Sequence, residues 1–267
     1  MPYEVHPELD TPPDDTVIWR YLNFVKLMDL LERRLLWFAR VDTFEDPLEG
    51  THTDAEVEYL KALPPPPSPV KGFTLEKQYV GITQMFRETM FVNCWRAATT
   101  ESMAMWDIYG KGSGVVAIKS TVGRLKEMLN TYSRKVFIGL VKYVEWNEAA
   151  WNLNALAMVM RKDRSYEHEQ ELRAVLWGLS IEGDSPIASY SFSSEGKYLF
   201  HGPSGIEIPC DPEKLVVEIM IGPREQEMFQ KVLDPVLRRY GLSVAVTASD
   251  RLKARHPRPP ESPESPR

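Results

Sequence analysis

Glu167, Glu169 and Glu171 stand at alternate positions just before the apolar run Ala174-Val175-Leu176-Trp177. If this stretch enters a strand, successive side chains point to opposite faces and the three carboxylates share one. Like charges that close require a solvated edge, cationic partners, a metal, or protonation of one member. Arg161, Lys162, Arg164 and Arg173 lie within a few residues. The segment therefore reads in two ways, as a structural salt-bridge cluster or as the seat of chemistry.

A chain of 267 residues with 43% hydrophobic content can bury a sizeable core. Its net charge of -6 argues against a surface built wholly to hold nucleic acid, although a local basic groove stays open. Cys94 and Cys210 are too few for a disulfide framework or a cysteine-rich metal site, and a reducing compartment is expected. The N-terminal residues lack a basic region followed by an apolar stretch, and no window of about 18 apolar residues occurs. The chain reads as cytoplasmic and soluble, with no membrane partner.

Residues 1–16 are rich in proline and acid and are expected to form a flexible arm, and residues 251–267 a disordered proline-rich tail. Between them, residues 17–250 read as one globular domain. Val17 to Tyr21 predicts a strand, a helix capped by Asn23 follows, and Leu35 to Ala39 predicts a second strand. Asp42 to Gly50, with Asp46-Pro47 inside it, is a turn-rich loop. A helix over 54–62 ends at a run of four prolines whose stiff geometry suits a surface crossing. Phe91 to Trp95 predicts a buried strand, Ser102 caps a helix to Tyr109, and Gly114 to Ile118 is the clearest strand of all. Val136 to Trp146, Leu172 to Trp177, Val216 to Ile221 and Ser243 to Val246 supply more strands. The last two flank a helix over 224–240 that Pro235 should kink or split. No repeat and no regular strand-helix alternation is present, so the fold class is α+β, one domain with a central mixed or largely antiparallel sheet flanked by helices.

The five histidines are scattered without the spacing of a zinc helix, so no metal is expected. Gly202-Pro203-Ser204-Gly205 has the wrong spacing for a nucleophile elbow and reads as a turn. Gly110-Lys111-Gly112-Ser113-Gly114 leads into a strand instead of a helix, which a phosphate-binding loop does not do. What remains is a set of polar residues beside aromatic ones: Arg20 with Tyr21, Arg40 with Asp46 and Glu49, Glu101 with Ser102, Tyr109, and Glu171 with Arg173. A planar, phosphate-bearing ligand needs these types, an arginine for phosphate, a ring for stacking and a carboxylate for ribose hydroxyls. Ordinary core tryptophans and paired surface charges account for the same spacing.

Several stretches resemble an uncharacterised bacterial family, catalogued as domain of unknown function two-nine-seven-one. They are Trp19-Arg20-Tyr21, the run Leu36 to Gly50, Cys94-Trp95, Glu101-Ser102 through Tyr109, Gly114 to Thr121, Val141-Lys142-Tyr143, Tyr166 to Arg173, and Ile221-Gly222-Pro223. The order of elements is also distantly similar to that of ADP-ribosyltransferases, including the DNA-modifying toxin branch. That resemblance implies NAD as substrate, with Arg20 or Arg40 holding the pyrophosphate, Tyr109 stacking on nicotinamide and Glu171 bonding the ribose 2′-hydroxyl. Tyr21, Asp46 and Glu49 complete the expected cofactor-binding set. It further implies a nucleotide as small-molecule partner, a protein or nucleic acid as acceptor, and a place in a bacterial toxin or phage-defence system. A non-enzymatic module that binds a ligand or partner is the alternative, and a hydrolase using paired carboxylates is a third reading.

Overall fold

The computed structural model describes residues 3–64, 74–109, 114–148, 154–179, 186–192, 198–225 and 227–252. Most of the glycine-rich turn at 110–113, the prolines at 65–67 and the tail beyond 252 lie outside the described residues.

Strand β1 (Val17–Asn23) leads into helix α1 (Phe24–Arg33), and β2 (Leu35–Arg40) follows at once. Asn23 caps α1 by accepting from the Lys26 amide, and Arg34 closes it in the left-handed region at φ 52° with its N–H on the Leu30 carbonyl. Then come α2 (Asp54–Ala62), α3 (Leu75–Thr89), β3 (Met90–Ala97), α4 (Met103–Tyr109), β4 (Val115–Thr121), α5 (Val122–Leu129), β5 (Val136–Leu140) and β6 (Lys142–Val144). After α6 (Ala155–Val159) and β7 (Arg161–Asp163), a 3-10 turn over Arg164–Glu169 opens β8 (Glu171–Trp177). β9 (Ser189–Phe192), β10 (Tyr198–His201), β11 (Gly205–Pro209), α7 (Pro212–Leu215), β12 (Glu218–Ile221), α8 (Glu227–Arg239) and β13 (Ala245–Ala248) complete the chain. The class is α+β.

The main sheet runs β11-β2-β3-β1-β4-β12-β13, with β8 on the other edge of β3 and β5 beyond it. Its pairs are antiparallel except β12 with β13. One face carries the largest core, including Ile18, Leu22, Phe38, Phe91, Trp95, Leu172 and Ala174. The opposite face carries two smaller cores, one around Val92 and Val175 and one around Trp19, Tyr21 and Trp106.

The expected strand over 136–146 is broken after Leu140. There the Val141 amide turns to the Glu171 carbonyl, and β6 leaves the main sheet to pair in parallel with β7. The segment expected as a flexible arm lies along the outer edge of β5. Tyr3 bridges Val136, the Glu4 amide donates to the Val136 carbonyl, and the Leu140 amide donates to the Asp10 carbonyl.

The feature that positions the site is a split in the sheet. β8 follows β3 from Met90 to Arg96 on one edge, but on the other edge β2 pairs only at Phe91 and Val92, and β1 only at Arg96 and Ala97. Asn93, Cys94 and Trp95 face the gap between the diverging strands. A polar side chain bridges it. Asn93 donates to the Trp37 carbonyl of β2 at 2.8 Å, a backbone group that a continuous ladder would have paired, and accepts from the Trp95 indole Nε1 at 2.6 Å.

Candidate functional site

Arg20 lies on β1 beside the split, on the same face as Ile18 and Leu22 by strand alternation. Its guanidinium sits 5.9 Å from the centre of the Trp95 ring. Among the described residues it has no carboxylate partner. Burial pulls its pKa below the usual arginine value, and the groups it feels, Cys94, Cys210 and Tyr109, raise it only partly. All three are neutral near pH 7. Burial pushes the Cys94 thiol well up, Cys210 to about 12, and the Tyr109 phenol higher still. A desolvated cation without a counter-charge is a costly arrangement that a bound anion would relieve.

On the opposite face, Cys94, Glu171 and Arg173 lie together, because Cys94 pairs with Arg173 and Arg96 with Glu171 across β3 and β8. Glu171 is only 6% exposed and Arg173 is 0% exposed. Arg173 donates from Nε and Nη2 to the two oxygens of Glu171 at 2.9 and 2.8 Å, from Nη2 to Glu49 at 2.7 Å, and from Nη1 to the Val159 carbonyl at 2.7 Å. Lys162 Nζ bonds Glu169 at 2.7 Å and Glu49 at 3.0 Å, and stands 3.7 Å from Glu171. The Glu171 amide donates to the Tyr143 hydroxyl at 2.8 Å.

Local sequence explains the placement. Gln170 is left-handed at φ 44°, which ends the 3-10 turn and starts β8 at Glu171. β7 presents its two cations to opposite sides, Arg161 to the buried carboxylate of Glu56 at 2.8 Å and Lys162 to the glutamate cluster. Phe44 covers Arg173 at 5.6 Å and Tyr166 covers Lys162 at 4.5 Å. Three carboxylates thus share two cations, Lys162 and Arg173.

Electrostatics separates the glutamates. For Glu171, burial favours the protonated form, but Arg173 and Lys162 outweigh it and hold the group below its usual range as a carboxylate. For Glu169, burial dominates and moves the pKa up despite its bond to Lys162. Burial opposes the charge on Lys162, yet Glu171, Glu49 and Glu169 keep it firmly protonated. Two nearby acids pushed in opposite directions form an arrangement suited to acid-base work.

Tyr109 lies within electrostatic reach of groups on both faces. It is 42% exposed at the end of α4, and it feels Glu169, Cys94, Glu171 and Lys162, while Arg20 in turn feels Tyr109. Tyr21 positions that helix. Its hydroxyl accepts from the Ser102 amide at 2.9 Å and its ring meets Trp106 edge-on at 4.7 Å.

The remaining sequence candidates divide. Glu49 is drawn into the cluster through Arg173 and Lys162. Asp46 caps its own loop through the Leu48 amide at 2.9 Å, and among the described residues its buried Oδ2 has no hydrogen-bond partner. Arg40 is committed to structure. It pairs with Asp42 through two nitrogens, donates to the Gly202 and Pro203 carbonyls and stacks on Phe200 at 4.5 Å. Asn93, beside the split, and Cys94 and Tyr143, beside Glu171, are residues to which the sequence assigns no role, although a polar Asn inside the apolar run Phe91 to Trp95 is a usable signal. Among the described residues no group of three or more His, Cys, Asp or Glu is placed to hold a metal, and no helix is long and apolar enough to cross a membrane.

No family model and no curated protein matches the chain. Among solved structures it is similar to DarT from Thermus sp. 2.9. The DarT complex with ADP-ribosylated ssDNA overlays at TM-score 0.39 with 9% identity, covering 90% of this chain and 97% of that one. The complex with NAD+ gives TM-score 0.36, 11% identity and coverages of 90% and 98%. The overlays are loose, and no role for a residue of this chain follows from them.

Proposed function

We propose that the protein is an NAD-using ADP-ribosyltransferase-like enzyme of the uncharacterised family its sequence resembles, working in a bacterial toxin or phage-defence system. One observation carries the reading. Arg20, which has no carboxylate partner among the described residues, and Glu171, a buried carboxylate, lie on either side of a split in the sheet, with Tyr109 in electrostatic reach of both. Such a site suits a ligand with an anionic diphosphate and a cationic ring.

In this reading Arg20 holds the diphosphate and Tyr109 lies against the nicotinamide. The bond between C1′ and the pyridinium nitrogen breaks with its electron pair going to nitrogen, so nicotinamide leaves neutral. The cationic ribose is stabilised by the Glu171 carboxylate. A nucleophile of the acceptor bonds to C1′ and releases a proton, and Glu169, moved up by burial, is the group suited to take it. Arg40, spent on Asp42 and two carbonyls, is set aside in favour of Arg20.

The test is incubation of the purified protein with adenylate-labelled NAD+, single-stranded oligonucleotides and cell extract. NAD+ and DNA are natural probes, since the DarT structures hold them. Wild type should transfer label and folded Glu171→Gln should not; equal labelling by the two rejects the assignment. A second reading, a binding module without catalysis, is favoured by the engagement of both Glu171 oxygens by Arg173. It expects no labelling by wild type and a large stability loss in Glu171→Gln.

A further inference from the structure

Arg173 is the most thoroughly bonded side chain of the site. It is fully buried, four hydrogen bonds leave its three nitrogens, and two of them form a planar fork on Glu171. By contrast Arg34 lies exposed at the surface, where it pairs with Asp211 and Glu213. Inside, a guanidinium with this many partners fixes the orientation of whatever it holds.

The fork engages both oxygens of Glu171 and so fixes the plane of its carboxylate. Lys162 at 3.7 Å is an ionic neighbour instead of a hydrogen-bond donor. The other side of Arg173 is anchored by Glu49 and by the Val159 carbonyl, so the fork cannot swing away from β8 without breaking buried bonds to two other segments.

We infer that Arg173 is a positioning residue, one that touches no substrate but locks the Glu171 carboxylate in a single orientation for the ribose. This inference rests on the proposed function for its reaction, but the fork itself can be tested apart from it. Lysine at 173 keeps the charge and loses the two-point grip.

With NAD consumption as the assay, Arg173→Lys is expected to lower kcat about tenfold or more per folded molecule while KM for NAD stays within about threefold. The acid limb of its pH profile should move up by about one pH unit, because Glu171 loses the donor that keeps it ionised. An unchanged kcat and acid limb would overturn the inference, since a purely structural arginine would alter only stability. If Arg173→Lys does not fold, the wild-type carboxyl is titrated directly by infrared difference spectroscopy against Glu171→Gln. Ionisation below the usual glutamate range supports the fork; titration at or above that range overturns it. If wild type consumes no NAD, the proposed function falls, and the infrared titration alone decides what Arg173 does.

Discussion

Arg173 and Glu49 meet at 2.7 Å inside the protein although 124 residues separate them in the chain. The contact ties the loop after β2 to the strand that bears Glu171, and it gives the paired acids a shared cationic partner. Removing Glu49 leaves Glu169 and Glu171 to balance Lys162 and Arg173, but it takes a buried acceptor from each cation. Glu49→Ala should destabilise the fold by about 1–3 kcal/mol for each donor left unpaired, read as a lower urea midpoint at unchanged slope.

Arg20 should behave in the opposite way. Arg20 is half-buried over the Trp95 ring and has no carboxylate partner among the described residues, so Arg20→Met is expected to leave stability unchanged or to raise it by up to about 1 kcal/mol. Thermal unfolding checks this, and a clear drop in midpoint would mean that Arg20 has a structural partner after all.

Asn93 closes the split from within. Replacing it with leucine strips a donor from the part-buried Trp37 carbonyl and an acceptor from the buried Trp95 indole. The cost should be about 1–3 kcal/mol for the buried indole and less for the carbonyl. Denaturant unfolding measures the total, and Trp95→Phe should cost less in that background than in the wild type, because the indole donor is already unserved and only the packing loss remains.

Glu56 sets an acid limit on stability. Burial alone would raise its pKa, but His52, Arg161 and the Thr53 amide hold it at about 2 against an ordinary 4.5. Its folded pKa is depressed, so its contribution is complete above the unfolded value and is lost as pH falls from there towards about 2. Stability measured across that window should decline more steeply in wild type than in Glu56→Gln.

The N-terminal segment shields the edge of β5. Deleting residues 1–11 should speed exchange of the Leu140 amide, whose acceptor is the Asp10 carbonyl, and should promote self-association through the uncovered edge. Hydrogen exchange and light scattering report the two effects.

Local signals account for much of the architecture and long-range ones for most of the site. Asn23 marks the start of α1 because its capping bond spans three residues, and the apolar run after Glu171 announces β8 for the same local reason. β7 is invisible to such reading, since Arg161-Lys162-Asp163 looks like a solvated turn until Glu56 and Glu49 are brought to it from far away. Arg20 and Arg40 are equivalent as sequence; only the Asp42 pair and the carbonyls of 202 and 203 show which one is spent. The split itself arises from where β1 and β2 stop pairing with β3, a matter of tertiary register that no periodicity encodes.

Calorimetric titration of NAD+ into wild type and Arg20→Met tests the pairing of an uncompensated cation with an ionised glutamate most directly. Saturable binding to wild type, weakened at least about tenfold in the folded variant, is the expected result. Equal affinity in the two proteins, or no binding to wild type, would contradict it.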